Sequence, residues 1–162
     1  MRNTLTEMEF HESDAPVYEP QSDKENLYFK QSVGIANVIY QAAHENNHVH
    51  IDQKGQGELL GKWLYNEQQD KKEKRLKSTI ELFMDSSLAP NASIGLHKHS
   101  DTEEIYYLLE GQLHIELIDK KGTIFQQVIT AGDTHLIQPG ESHFVKAGAQ
   151  GARFIVVAAK VD

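Results

Sequence analysis

From Lys77 onward, apolar runs of five to eight residues alternate with Gly, Pro, Asn and Asp punctuation. That rhythm is the signature of an antiparallel β-sandwich or barrel. Candidate strands are Ser78 to Asp85, Ser93 to His99, Glu104 to Leu109, Gln112 to Ile118, Ile124 to Ile129, His135 to Gln138, His143 to Lys146 and Arg153 to Ala159. Eight short strands suit an all-β jelly roll. Asp119-Lys120-Lys121-Gly122 reads as a hairpin turn, and Gly132-Asp133 and Pro139-Gly140 mark the next two strand ends.

Upstream, His48 to Asp52 and Glu58 to Tyr65 read as two further strands joined by a glycine-bearing turn, Lys54 to Gly57. Ile35, Val38, Ile39, Ala42 and Ala43 fall at helical spacing behind Ser32 as a cap, which predicts a short amphipathic helix over 33–44. Residues 1–32 are polar, carry Pro16 and Pro20, and read as an amino-terminal arm that is flexible unless another surface holds it. Within the arm, Glu25-Asn26-Leu27-Tyr28-Phe29 resembles the start of a protease site used in expression tags, broken by Lys30. Residues 33–162 are expected to form one domain, with its chemistry between 91 and 147.

Composition narrows the function. The chain has 162 residues and a net charge of -8, which disfavours nucleic acid and anionic lipid. Its one basic run, Lys71, Lys72, Lys74 and Arg75, is diluted by Asp70 and Glu73. No apolar stretch approaches the length of a membrane helix and no secretion signal opens the chain, so a soluble cytoplasmic protein is expected. Without cysteine there is no thiolate zinc site and no cysteine nucleophile. Gly55, Gly57 and Gly61 lack the Lys-Ser or Lys-Thr pair of a phosphate loop and read as turn glycines.

The nine histidines carry the chemistry. His97 and His99, one residue apart on a strand, point to the same face and can converge on one ion. Glu104 follows His99 after four residues, Gly111 after six more, and Pro139, Gly140 and His143 answer later in the chain. Imidazole and carboxylate together suit Fe2+, Mn2+, Ni2+, Co2+ or Zn2+ and leave coordination positions open for a ligand. Between neighbours Glu103 and Glu104 the spacing favours Glu104, because adjacent strand residues face opposite ways. A second pair, His48 and His50, has no matching carboxylate or third histidine and reads as ordinary strand residues. His114 alternates with Leu113, Ile115 and Leu117 and should face outward with Glu116. His135 reads as a strand-end histidine, with the pocket as its alternative, and His11 and His44 receive no role.

At this point the chain resembles the cupin superfamily of small metal-binding barrels. The stretch from His97 to Gly111 matches the first cupin motif at the family's intervals, and Gly132, Gly140 and His143 keep the spacing of the second. Proline is displaced by one, to Pro139. Asn91 stands where the first motif opens with glycine, and Ala147 where the second closes with asparagine. Asn tolerates the left-handed backbone that glycine would supply, so the first departure is mild.

The resemblance implies a cupin-type jelly-roll barrel with one divalent metal ion on His97, His99, Glu104 and His143. It also implies a small-molecule substrate inside the barrel. The leading expectation is a metal-dependent enzyme, with non-haem iron oxygenase chemistry as one form. The alternatives are a metal-dependent isomerase, decarboxylase or lyase, or a cupin that binds a small ligand or metal without turnover. Tyr106, two residues from Glu104 on the same face, is expected as a donor or acid beside the ion. Ile105, Tyr107 and Leu109 make the opposite face apolar as well, so a homodimer contact or the amino-terminal segment is expected to cover it.

Overall fold

The computed structural model describes residues 5–6, 29–32, 35–40, 55–66, 70 and 75–161. Three strands precede the main body: β1 (Leu5–Thr6), β2 (Ala36–Tyr40) and β3 (Leu59–Asn66). Six follow: β4 (Ile80–Leu88), β5 (Ser93–Lys98), β6 (Thr102–Ile118), β7 (Ile124–Thr130), β8 (Thr134–Ile137) and β9 (Ser142–Lys160).

The eight strands expected in this half are six because two pairs of them fuse. Glu104 to Leu109 and Gln112 to Ile118 are halves of β6, and His143 to Lys146 and Arg153 to Ala159 are halves of β9. Register explains why both long strands must bend. The first half of β6 pairs with the second half of β9, from Thr102↔Lys160 to Gly111↔Ala152, while Leu113 to Ile118 pair with the first half, from Ala147 to Ser142. One layer therefore runs β8, β6, β9, β4, β3, β2, and the other β7, β6, β9, β5, β1.

The alternation changes phase at the bend. Glu104, Tyr106 and Leu108 are buried before it, and Leu113 and Ile115 after it, because bulges between Leu108/Glu110 and Gly111/Leu113 take up one step of the pleat. In β9 the buried set likewise shifts from His143, Val145 and Ala147 to Ala152, Phe154, Val156 and Ala158. Both halves thus turn their apolar sides toward one core, which Leu82, Met84, Leu88 and Ile94 complete. Gly111 and Gly151 sit where the two strands cross, with φ of 80° and 81°. Asn91 occupies the left-handed region at φ 60°, as its place in the motif requires.

The expected helix over 33–44 is corrected at residues 36–40, which form β2 and pair antiparallel with β3 from Ala36↔Trp63 to Tyr40↔Leu59. A short apolar run fits either period, and the β-branched Val38 and Ile39 next to Tyr40 favour a place at the sheet edge. The expected strand His48 to Asp52 lies outside the described residues, whereas Glu58 to Tyr65 is found as β3.

The arm is held where it is described. Lys30 Nζ lies 2.6 Å from the buried Asp70 carboxylate and 2.8 Å from the Leu64 carbonyl oxygen, fixing residue 30 against β3. On the outer face of the first layer, Ile105 and Tyr107 are 44% and 46% exposed, next to Leu136 at 47%. Among the described residues, no helix is long and apolar enough to cross a membrane.

Candidate metal centre

His97 closes the inward run of β5, directly opposite His143 on β9. Lys98 turns outward and His99 inward again, so the same-face geometry of the His-x-His pair continues past the strand end. His99 is then pinned by its backbone: its N–H donates to the Glu141 carbonyl oxygen at 3.0 Å, and its own carbonyl accepts from Gly140 N–H at 2.6 Å. Glu104 comes from the other layer, on the early part of β6, where it is buried while Glu103 is only half-buried. Two layers and three chain segments thus deliver four donors to one point.

The Nε2 atoms of His97 and His143 are 3.0 Å apart, and that of His99 is 3.3 Å from each. Glu104 Oε2 lies 3.3 Å from His99 Nε2. One donor atom from each residue falls within 4.8 Å of every other, and the four side chains are buried. Ligand bonds of about 2.0–2.1 Å place two nitrogens about 2.9 Å apart at a right angle and about 3.4 Å apart at the tetrahedral angle. The observed spacings fall inside that range. Three neutral imidazoles facing one another this closely oppose their lone pairs, and a shared cation satisfies all of them at once. The donor set therefore fits a divalent metal ion.

Burial acts on the ring protons in the same direction. It holds the His143 pKa well below the ordinary imidazole value, and the neighbouring His97, His99 and His135 add to the effect. His135 is pushed down to about 4, chiefly by burial and then by His99. Neutral rings are what metal ligation needs.

Tyr106 is buried beside the cluster. Its ring lies 5.5 Å from that of His143 and stacks on Phe154 at 4.9 Å. His135, read from the sequence as a strand-end residue, belongs to the site: its Nε2 is 2.9 Å from His143 Nδ1. The strand signal places His135 and Ile137 on one face, but only the pairing of β8 with β6 puts them opposite Tyr106 and Glu104. Thr102 was not singled out either, and its Oγ1 lies 3.2 Å from His99 Nδ1. Its sequence signal is only a fixed distance from His99. His114 is exposed, as its alternation with the core leucines requires. His11, His44, His48 and His50 lie outside the described residues.

A two-layered jelly roll that gathers His-x-His, Glu and a distant His around one point has the architecture of a metal-dependent cupin. Residues 84–158 match the family described as Cupin domain. The oxalate-binding protein of Thermotoga maritima is 38% identical over 79 residues, which is 47% of this chain and 60% of that protein. The chain thus covers less than two thirds of that relative's length. Among solved structures, a predicted oxalate decarboxylase from Thermotoga maritima is 28% identical with a TM-score of 0.54, covering 66% of this chain and 84% of that one. A Bacillus subtilis oxalate decarboxylase, described with Mn(II) centres, is 23% identical with a TM-score of 0.52. It covers 65% of this chain and 25% of its own, and speaks for the fold.

Proposed function

We propose that His97, His99, Glu104 and His143 hold one divalent metal ion whose remaining positions bind a small carboxylate of the oxalate type. The convergence of their four donor atoms within 4.8 Å carries this reading. A divalent ion with one carboxylate ligand leaves a net positive centre, which attracts an anionic oxygen donor. When bound, the ion supplies Lewis-acid polarisation of the ligand's carboxylate. The protein's own part is to hold three imidazoles and one carboxylate buried in a fixed arrangement, with Tyr106 packed against His143 beside the reacting position.

The name of the 38% identical relative favours the ligand-binding alternative, and that of the 28% identical structure the decarboxylase alternative, over oxygenase chemistry. The test is calorimetric titration of oxalate into chelator-stripped protein and into protein reloaded with Mn2+, Fe2+, Co2+, Ni2+ or Zn2+. Oxalate should bind only the metal-loaded protein, and His143→Ala should remove that binding. Release of carbon dioxide and formate would then distinguish a decarboxylase from a binding protein. Oxalate binding that survives chelation, or that no metal restores, contradicts the proposal.

We further propose that a second copy of the chain covers Ile105, Tyr107 and Leu136, whose side chains form a continuous apolar strip on the outer face. Sedimentation should give twice the 18.3 kDa chain mass. A single-chain mass at micromolar concentration rejects the dimer.

A further inference from the structure

Each imidazole of the cluster points Nε2 inward and turns Nδ1 away, and the three Nδ1 atoms meet three different partners. His97 Nδ1 lies 2.8 Å from the Gly95 carbonyl oxygen. His99 Nδ1 lies 3.2 Å from Thr102 Oγ1, and His143 Nδ1 lies 2.9 Å from His135 Nε2. A carbonyl can only accept, so His97 carries its proton on Nδ1 and leaves the Nε2 lone pair free for an ion. The same demand falls on His143. Its Nε2 faces the cluster, so its proton belongs on Nδ1, and His135 Nε2 must then be an acceptor.

The ring geometry agrees with such a bond. The planes of His135 and His143 differ by only 28° with centroids 5.2 Å apart, close to the in-plane approach that an N–H···N bond between two imidazoles requires. Tyr106 holds the pair in place, its ring edge-on to His135 at 5.8 Å and packed on His143 at 5.5 Å. The backbone adds a second constraint, because β8 pairs with β6 and sets His135 directly opposite Tyr106.

We propose that His135 is a positioning residue of the metal centre: it accepts the Nδ1–H of His143, fixing the tautomer and ring orientation in which His143 Nε2 binds the ion. A hydrogen bond accepted from the far nitrogen also makes the ligating nitrogen a stronger donor. The inference rests on the four-ligand metal reading above. It assigns to a position that the second motif leaves unspecified, between Gly132 and Gly140, the control of one metal–nitrogen bond. His97 takes its outer bond from the backbone and cannot be tuned by substitution at its partner, whereas His143 can.

The test uses full-length, chelator-stripped wild-type protein and two variants, His135→Phe and His135→Gln. Phenylalanine keeps a ring against Tyr106 but cannot accept a hydrogen bond, whereas the glutamine carboxamide oxygen can. In calorimetric titrations with Co2+, His135→Phe should weaken binding by about 10- to 100-fold, and His135→Gln should restore most of the loss. In zinc-loaded protein labelled with nitrogen-15 histidine, the His143 Nδ1–H resonance should be protected from exchange in the wild type and the glutamine variant and lost in the phenylalanine variant. Wild-type affinity in His135→Phe, or equal losses in the two variants, overturns the role of His135. Failure of the wild type to bind any metal overturns the metal centre itself, so the two failures are distinct.

Discussion

His99→Ala is expected to lower divalent-metal affinity by more than about 100-fold while leaving the fold in place. Of the four donors, His99 touches all the others: its Nε2 lies 3.3 Å from the nitrogens of His97 and His143 and from the Glu104 carboxylate. Removing it separates the carboxylate delivered by one layer from the imidazoles delivered by the other. The backbone hydrogen bonds of residue 99, to Glu141 and from Gly140, do not involve the side chain, so the local turn should survive. Calorimetry gives the affinity, and the rise in melting temperature on adding metal gives an independent reading, because an ion that binds only the folded chain stabilises it. His114→Ala, at an exposed position facing away, is the control and should retain both. Equal loss in the two variants would show that the cluster is not the binding site.

Acid should act on the wild type in the same sense. In the metal-free folded protein His135 stays neutral down to about 4, and His143 is likewise held below the ordinary imidazole value near 6.5. The unfolded chain takes up those protons near the ordinary value, so it binds more protons than the folded chain between the two. Stability present above about pH 6.5 is therefore lost as pH falls, and the share due to His135 is lost in full below about 4. Metal-loaded protein should lose stability more steeply over that window, since protonation also expels the ion. Denaturation midpoints across the window check this, and a flat profile would show that neither ring is held neutral by the fold.

Of the four donors, simple alternation along one strand joins only His97 and His99, and Glu104, on the next strand, was joined to them by the interval that the cupin motif keeps. His143 is a different case. It stands 44 residues from His99, and only its matched spacing to Gly132 and Gly140 joined it to the others. The alternation along β6 also placed Glu104 and Tyr106 inside and His114 outside. His135 and Thr102 could not be found in the same way, since their roles depend on which strand pairs with β8 and on where Nδ1 of a ligand histidine points. The continuity of β6 and β9 was hidden for a related reason. The expected strands leave gaps at 110–111 and 147–152, whereas β6 and β9 each run on through a bend there. At β2, an apolar spacing that suits a helix is settled by a partner strand, and local sequence holds no record of that partner.

Gly111→Ala is expected to be the most damaging single-methyl change in the fold, costing about 3 kcal/mol or more. At φ of 80° an alanine pays about 1–2 kcal/mol for the left-handed backbone alone. Its Cβ would also overlap the Gly151 carbonyl oxygen and crowd Ala152 Cα at 3.0 Å, with backbone rather than a flexible side chain in the way. Gly151 cannot retreat, because its own Cα faces the Leu88 carbonyl oxygen so closely that a Cβ there would stand 2.7 Å away. Gly122→Ala isolates the first effect: Gly122 has nearly the same φ, 82°, in an open hairpin turn with nothing within 4 Å of a Cβ. It should lose only the conformational cost, so the difference in chemical denaturation between the two variants measures the crossing of β6 and β9. Equal losses would show that the close approach carries no weight. The crossing also reaches the metal centre, because Glu104 lies on one arm of the bend in β6 and Leu117, opposite His143, on the other. Any Gly111→Ala protein that folds must open that bend to relieve the overlap. It should therefore bind metal more weakly than the Gly122→Ala protein, although neither residue touches a ligand.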